Sequence, residues 1–163
     1  MAKRKRLEGT RVLIVYDEPD VLETLKELLD MCRVKTAASF AEAKEKLETE
    51  YFDLAILDIM GVNGYELLKI ANERQVTTVM LTALALSPDN IKKSYEEGAA
   101  YYVPKDEIPD LAEHLEDVLE AIEAGKSTWW RWYDKLAGFC EHKFGPDWEK
   151  EDPEFWEKFK FYI

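Results

Sequence analysis

A doubly wound α/β fold, with five parallel strands covered on both faces by helices, is what this sequence predicts, and three observations lead there. Short apolar runs recur along the chain, each followed by a stretch with helical spacing. The runs are continuous and not alternating, as strands buried on both faces require. Several of them stop on a polar residue, the pattern of a sheet whose carboxyl edge carries chemistry.

The first run, residues 11–16 (RVLIVY), ends at Asp17, Glu18 and Pro19. Val21, Leu22, Leu25, Leu28 and Leu29 then recur at helical spacing, with Glu23, Lys26 and Glu27 on the opposite face. A weaker strand spans 33–39, and Ser39 with Glu42 has the form of a capping box opening a helix to about Glu48. A strand at 52–58 is followed by a helix at 64–73, and a strand at 76–82 by a helix opening at Ser87-Pro88, where a first-turn proline loses no hydrogen bond. The fifth strand, 100–103, precedes a long helix from about Ile108 to Ala124. Five such alternations imply right-handed crossovers and a parallel sheet.

The chain has 163 residues, enough for one domain and an extension, and 47% of them are hydrophobic. Its formal charge of −12 argues against nucleic acid as a partner, because that affinity rests on Lys and Arg displacing counterions. The basic run Lys3, Arg4, Lys5 and Arg6 reads as a solvated tail. Cys32 and Cys140 have neither disulfide-framework nor zinc spacing and read as packed thiols. No run approaches the roughly 20 apolar residues of a membrane span, and the N-terminus lacks a secretory apolar region, so a cytoplasmic location is expected.

Ligands of open α/β sheets bind beyond the carboxyl ends of the strands. The residues ending strands here are Asp17, Asp58, Thr82 and Lys105. Two acids with oxygen donors suit Mg²⁺, which typically takes one or two protein carboxylates together with waters and phosphate. A carboxylate can attack phosphorus while the metal and an ammonium group neutralise the equatorial oxygens.

Over about residues 10 to 124 the chain resembles the receiver domains of bacterial two-component response regulators. The likeness rests on VLIVYDEPDVLETL for the first strand and acidic turn, DLAILDIM for the phosphoacceptor strand, VMLTALA for the threonine strand and GAAYYVPK for the aromatic and lysine strand. It implies a flavodoxin-like sheet of order 2-1-3-4-5 and Asp58 as acceptor of a phosphoryl group from a histidine kinase or phosphotransfer protein. It further implies Mg²⁺ held by Asp17, Asp58 and the backbone carbonyl of Met60, with Lys105 pairing with phosphoryl oxygens. Thr82 would swing its hydroxyl onto one of those oxygens. Tyr102 would turn with it and reshape the surface around the fourth helix, fifth strand and fifth helix for a downstream protein, while Tyr16 and Ala83 complete the pocket wall. The chain would be an acceptor that helps catalyse its own modification and not a turnover enzyme. The implied division is a basic tail at 1–9, a receiver at 10–124 and an appendage at 125–163.

Three departures from the family pattern are visible. Tyr16 stands where the first of two consecutive acids is usual, and a neutral phenol is a poor Mg²⁺ ligand, so weaker metal binding is expected. The loop after Asp58 is two residues shorter than usual and lacks the customary proline, with Gly61 and Gly64 expected to close the turn through positive φ. Pro104 precedes Lys105 where the family has proline after the lysine. Met60 and Leu84, apolar where relatives align the hydrolytic water, predict a long-lived phosphoryl group. Two rival functions are a phosphorylation-independent interaction scaffold and a small phosphohydrolase using Asp58. The second lacks the acid two residues after its nucleophile, because that position is Met60.

Residues 127–163 hold all five tryptophans and twelve of the twenty aromatic residues, too many for a disordered tail. One helix is expected from Ser127 or Thr128 and another from Asp152 as cap with Pro153 at its first position. Trp129, Trp132, Tyr133, Leu136, Phe139 and Cys140 either pack back on the rest of the chain, bind a partner or form a homodimer, or dock on a membrane surface. The segment lacks the basic recognition helix of a DNA reader.

Overall fold

The structure is a computed structural model that describes residues 6–82 and 87–163. Ala83 and Leu84 therefore lie outside the described residues, as do Lys3, Arg4 and Lys5.

The strands are β1 (Arg11–Val15), β2 (Arg33–Ala37), β3 (Leu54–Asp58), β4 (Thr77–Thr82) and β5 (Tyr101–Pro104). They form one parallel sheet in the order β2-β1-β3-β4-β5. Four consecutive residues of β1 (Val12 to Val15) and four of β3 (Leu54 to Leu57) are wholly buried, which is why both runs are apolar without alternation. The edge strand β2 exposes alternate residues, matching its weaker pattern.

The helices are α1 (Pro19–Leu28), α2 (Phe40–Thr49), α3 (Gly64–Glu73), α4 (Pro88–Glu96), α5 (Leu111–Glu123), α6 (Thr128–Phe144) and α7 (Pro153–Tyr162). Four starts follow the expected caps. The hydroxyls of Ser39, Ser87 and Ser127 accept from the N–H of Glu42, Asn90 and Trp130, and the Asp152 carboxylate accepts from that of Phe155. The connection after β5 differs from expectation. Lys105–Asp110 is a 3₁₀ turn, and α5 begins only at Leu111. Ile108 precedes Pro109, and a residue before proline is pushed out of the helical region, so the regular helix cannot start there.

The solvated-tail expectation fails at Arg6, whose guanidinium pairs with Glu116 at 3.0 Å and Glu123 at 2.8 Å on α5, while Leu7 is fully buried. Of the two thiols, Cys140 is buried and Cys32 half-buried, and both are free.

The aromatic appendage packs back on the chain. Trp129, Trp132, Leu136 and Cys140 are buried, Tyr133 and Phe139 half-buried. The indole N–H of Trp129 donates to the Ala99 carbonyl at 2.7 Å and that of Trp132 to the Tyr102 carbonyl at 2.9 Å. Buried indoles need such a partner for their one polar atom. Among the described residues no helix is long and apolar enough to cross a membrane.

Candidate phosphoacceptor site

Register brings the strand-end residues to one edge. Val15 pairs with Leu57, so Tyr16 and Asp58 follow side by side. Asp58 pairs with Leu81, the residue before Thr82, and Thr82 pairs with Pro104, the residue before Lys105.

Asp58 is only 6% exposed. Burial pushes its carboxyl up to about 7, the charges of Asp17 and Glu18 push in the same direction, and hydrogen bonds from the backbone N–H groups of Met60 and Ile59 oppose them. The chain therefore holds a carboxylate that burial and two neighbouring acids disfavour, an arrangement that a cation would relieve. Tyr16, also buried, has its phenol pushed up to about 12 by burial and by Asp58, Glu18 and Asp17. It is a neutral hydroxyl at physiological pH.

The short loop 59–63 closes differently from expectation. Gly61 has φ of +82°, and a Cβ there would lie 2.5 Å from Asp17 Oδ2, so the absent side chain lets the Asp17 carboxylate rest against the loop backbone. Gly64 does not have positive φ; the left-handed residue is Asn63, at φ 57°. Gly64 is required by space instead, because a Cβ would sit 2.1 Å from the Asp58 carbonyl oxygen. Its N–H donates to the Ile59 carbonyl at 3.2 Å and shuts the turn.

These donors fit a divalent ion. The Asp17 carboxylate rests against Gly61, and its charge disfavours the anion of Asp58. No group of three or more His, Cys, Asp or Glu side chains placed to hold a metal occurs among the described residues. Two carboxylates with a loop carbonyl would be a composition that Mg²⁺ accepts. Met60 is 53% exposed, and its N–H faces Asp58.

Thr82 is buried at the end of β4. Lys105 is exposed on the 3₁₀ turn and, among the described residues, forms no ion pair. Its turn is anchored twice. Glu107 Oε1 lies 3.0 Å from Nε2 of buried His114, whose Nδ1 lies 2.6 Å from the Tyr101 hydroxyl, and Asp106 pairs with Lys143 of α6 at 3.2 Å. Tyr102 is 1% exposed, with the Ser87 N–H donating to its hydroxyl. Two neighbours of the site were not foreseen from sequence: Glu18 as a second charge acting on Asp58, and Trp132 on Tyr102. Glu18 had a local signal, since it directly follows Asp17; Trp132 had only its helical spacing from Trp129.

Residues 12–123 match the family model of the response regulator receiver domain. The chain belongs to that family. The receiver's role is in two-component systems, and its sheet has the flavodoxin-like order expected of it. Among curated relatives, a two-component response regulator of Arabidopsis thaliana, ARR18, is 34% identical over 104 residues, covering 60% of this chain and 16% of the relative. The transcriptional regulatory protein YvrH of Bacillus subtilis is 28% identical over 129 residues, covering 75% of this chain and 54% of the relative. A CheY-like receiver domain protein from Methanospirillum hungatei superimposes with a TM-score of 0.65 at 31% identity, covering 72% of this chain and 98% of that one. The chain thus spans about half or less of the curated relatives' length, and α6 and α7 lie beyond the matched family region.

Proposed function

We propose that this receiver accepts a phosphoryl group on Asp58 in a Mg²⁺-dependent reaction with a histidine kinase or phosphotransfer protein, and that residues 10–124 act as the receiver unit with 125–163 as its appendage. The observation that carries the reading is the buried Asp58 carboxylate, raised by burial and by Asp17 and Glu18 while two loop N–H groups aim at it. An Asp58 oxygen attacks phosphorus as the bond from phosphorus to the donor's histidine nitrogen breaks. The electron pair leaves on that nitrogen, which takes a proton from water.

Asp17, Asp58 and the Met60 carbonyl would hold the metal, which supplies charge neutralisation for the transferring group. The N–H groups of Ile59 and Met60 hold the nucleophilic carboxylate in place, and burial keeps competing water away from it. Thr82 offers a hydroxyl to the transferred group, and Lys105, free of other ion pairs among the described residues, offers the cation.

Incubation with acetyl phosphate and Mg²⁺ tests the reading by intact mass. A gain of one phosphoryl group that EDTA prevents and Asp58→Asn abolishes is expected. An unchanged mass, or a gain that persists in Asp58→Asn, sinks it.

A further inference from the structure

The α6 and α7 helices cover the face formed by α4, β5 and α5, and they grip it where the site residues are attached. On β5, Tyr102 lines a crevice with Ile91, Pro104, Trp132, Leu136 and Cys140 that is too narrow to admit a water molecule. Its carbonyl accepts from the Trp132 indole. On α4, Lys92 pairs with Asp152 at the start of α7, and the Tyr95 ring meets Phe155 and Phe159 edge-on at 6.0 and 4.9 Å. On the turn that carries Lys105, Asp106 pairs with Lys143 of α6. On α5, Asp117 pairs with Lys135 at 2.7 Å.

We infer that the α6–α7 pair is an intramolecular ligand of the face that carries Tyr102, docked on the unmodified chain and released when Asp58 is phosphorylated. The inference rests on the phosphoryl acceptance proposed above. Packed interfaces are bistable and not continuously deformable. Trp132 and Leu136 pack beside Tyr102 where no water molecule fits, so a shift of Tyr102 toward α6 would displace them. The dock is complementary to Tyr102 where the unmodified chain holds it, so a state with Tyr102 elsewhere binds the helix pair less well. By linkage, the dock must then oppose whatever stabilises that state, and weakening the dock must favour it. Release would bare Trp129, Trp132, Trp156 and Phe159, all now buried, and uncover the face beneath them. Trp and Tyr are residues that dominate interface energetics, so both bared surfaces suit a protein partner.

Hydrogen exchange of the full chain, with and without Mg²⁺ and acetyl phosphate, tests the release. Faster exchange over 128–144 and 153–162 is expected, absent in Asp58→Asn. Unchanged or slower exchange there, in a chain whose mass shows the phosphoryl group, overturns this inference and leaves the acceptor reading standing. Absence of any mass gain overturns both. Equilibrium binding of beryllofluoride with Mg²⁺ supplies the second measurement. Trp132→Phe keeps a smaller aromatic ring, removes one buried hydrogen bond and should raise the apparent affinity about fivefold. Lys92→Met, which leaves the core intact, should raise it about twofold. If both variants bind with the wild-type affinity, the dock is not coupled to the site and the inference fails.

Discussion

Replacing Asp58 with Asn should stabilise the metal-free protein, and by an amount that depends on pH. Burial first, then the charges of Asp17 and Glu18, raise the Asp58 carboxyl from 3.8 to about 7. A group whose folded value lies above its unfolded value stabilises fully below the unfolded value and loses that contribution as pH climbs through the folded one. The window therefore runs from about pH 4 to about pH 8. Three units correspond to about 4 kcal/mol at most. Local relaxation and water near the exposed Asp17 reduce this, so about 2–4 kcal/mol is the expected gain for Asp58→Asn at pH 8. The amide oxygen can still accept from the Met60 and Ile59 N–H groups, so the substitution removes the charge and keeps the geometry. For a chain of this size the gain amounts to roughly 5–12 °C in Tm. Urea unfolding of both proteins at pH 5, 6, 7 and 8 in EDTA measures it. The stability gap should widen steadily with pH, and added Mg²⁺ at pH 8 should narrow it. Parallel pH profiles would refute the claim that Asp58 is held as an uncompensated buried acid.

Tyr16→Asp restores a carboxylate beside Asp17 and should raise Mg²⁺ affinity about tenfold while lowering metal-free stability, both read from a fluorescence titration and urea unfolding; an unchanged affinity would place position 16 outside the metal's reach. Gly64→Ala forces a Cβ onto the Asp58 carbonyl oxygen and should cost about 2–4 kcal/mol in chemical denaturation, far more than the roughly 1 kcal/mol a helix normally gains from replacing glycine. Trp132→Ala empties the contact between α6 and β5 and should cost about 3–5 kcal/mol, with unfolding followed by circular dichroism; a cost under about 1 kcal/mol would mean that the appendage contributes little to the fold.

What the sequence made legible follows the range of the interactions involved. Ser39 and Glu42, Ser87 and Pro88, and Asp152 and Pro153 are each within one helical turn, and each helix begins where its pair implied. The buried runs of β1 and β3 declared themselves because burial on both faces leaves no room for polar residues. The carboxyl-edge assembly of Asp17, Asp58, Thr82 and Lys105 follows from topology, since parallel strands must end together. The rest depends on side chains far apart in the chain or on exact backbone paths. That Arg6 meets Glu116 across 110 positions, and that Trp132 meets the carbonyl of Tyr102 across 30, has no local signature. Gly64 carries the same letter whether φ or space requires it, so the assignment of the left-handed residue to Asn63 could not be read.

The tyrosine at position 16 and the raised Asp58 carboxyl belong to one electrostatic arrangement. A third acid at that position would add its repulsion to that of Asp17 and Glu18 and hold Asp58 more firmly protonated in the metal-free state. Tyr16 contributes a buried aromatic body and a hydroxyl that stays neutral, so it adds no negative charge beside Asp58. The same neutrality removes attraction for Mg²⁺. Because a metal must displace whatever proton Asp58 carries, affinity at neutral pH depends on both effects, one lowering the proton competition and the other lowering the direct pull. The first fades above the Asp58 titration range and the second does not. If the site holds Mg²⁺ as proposed, the tyrosine at position 16 should therefore weaken that binding most at alkaline pH and least near pH 6.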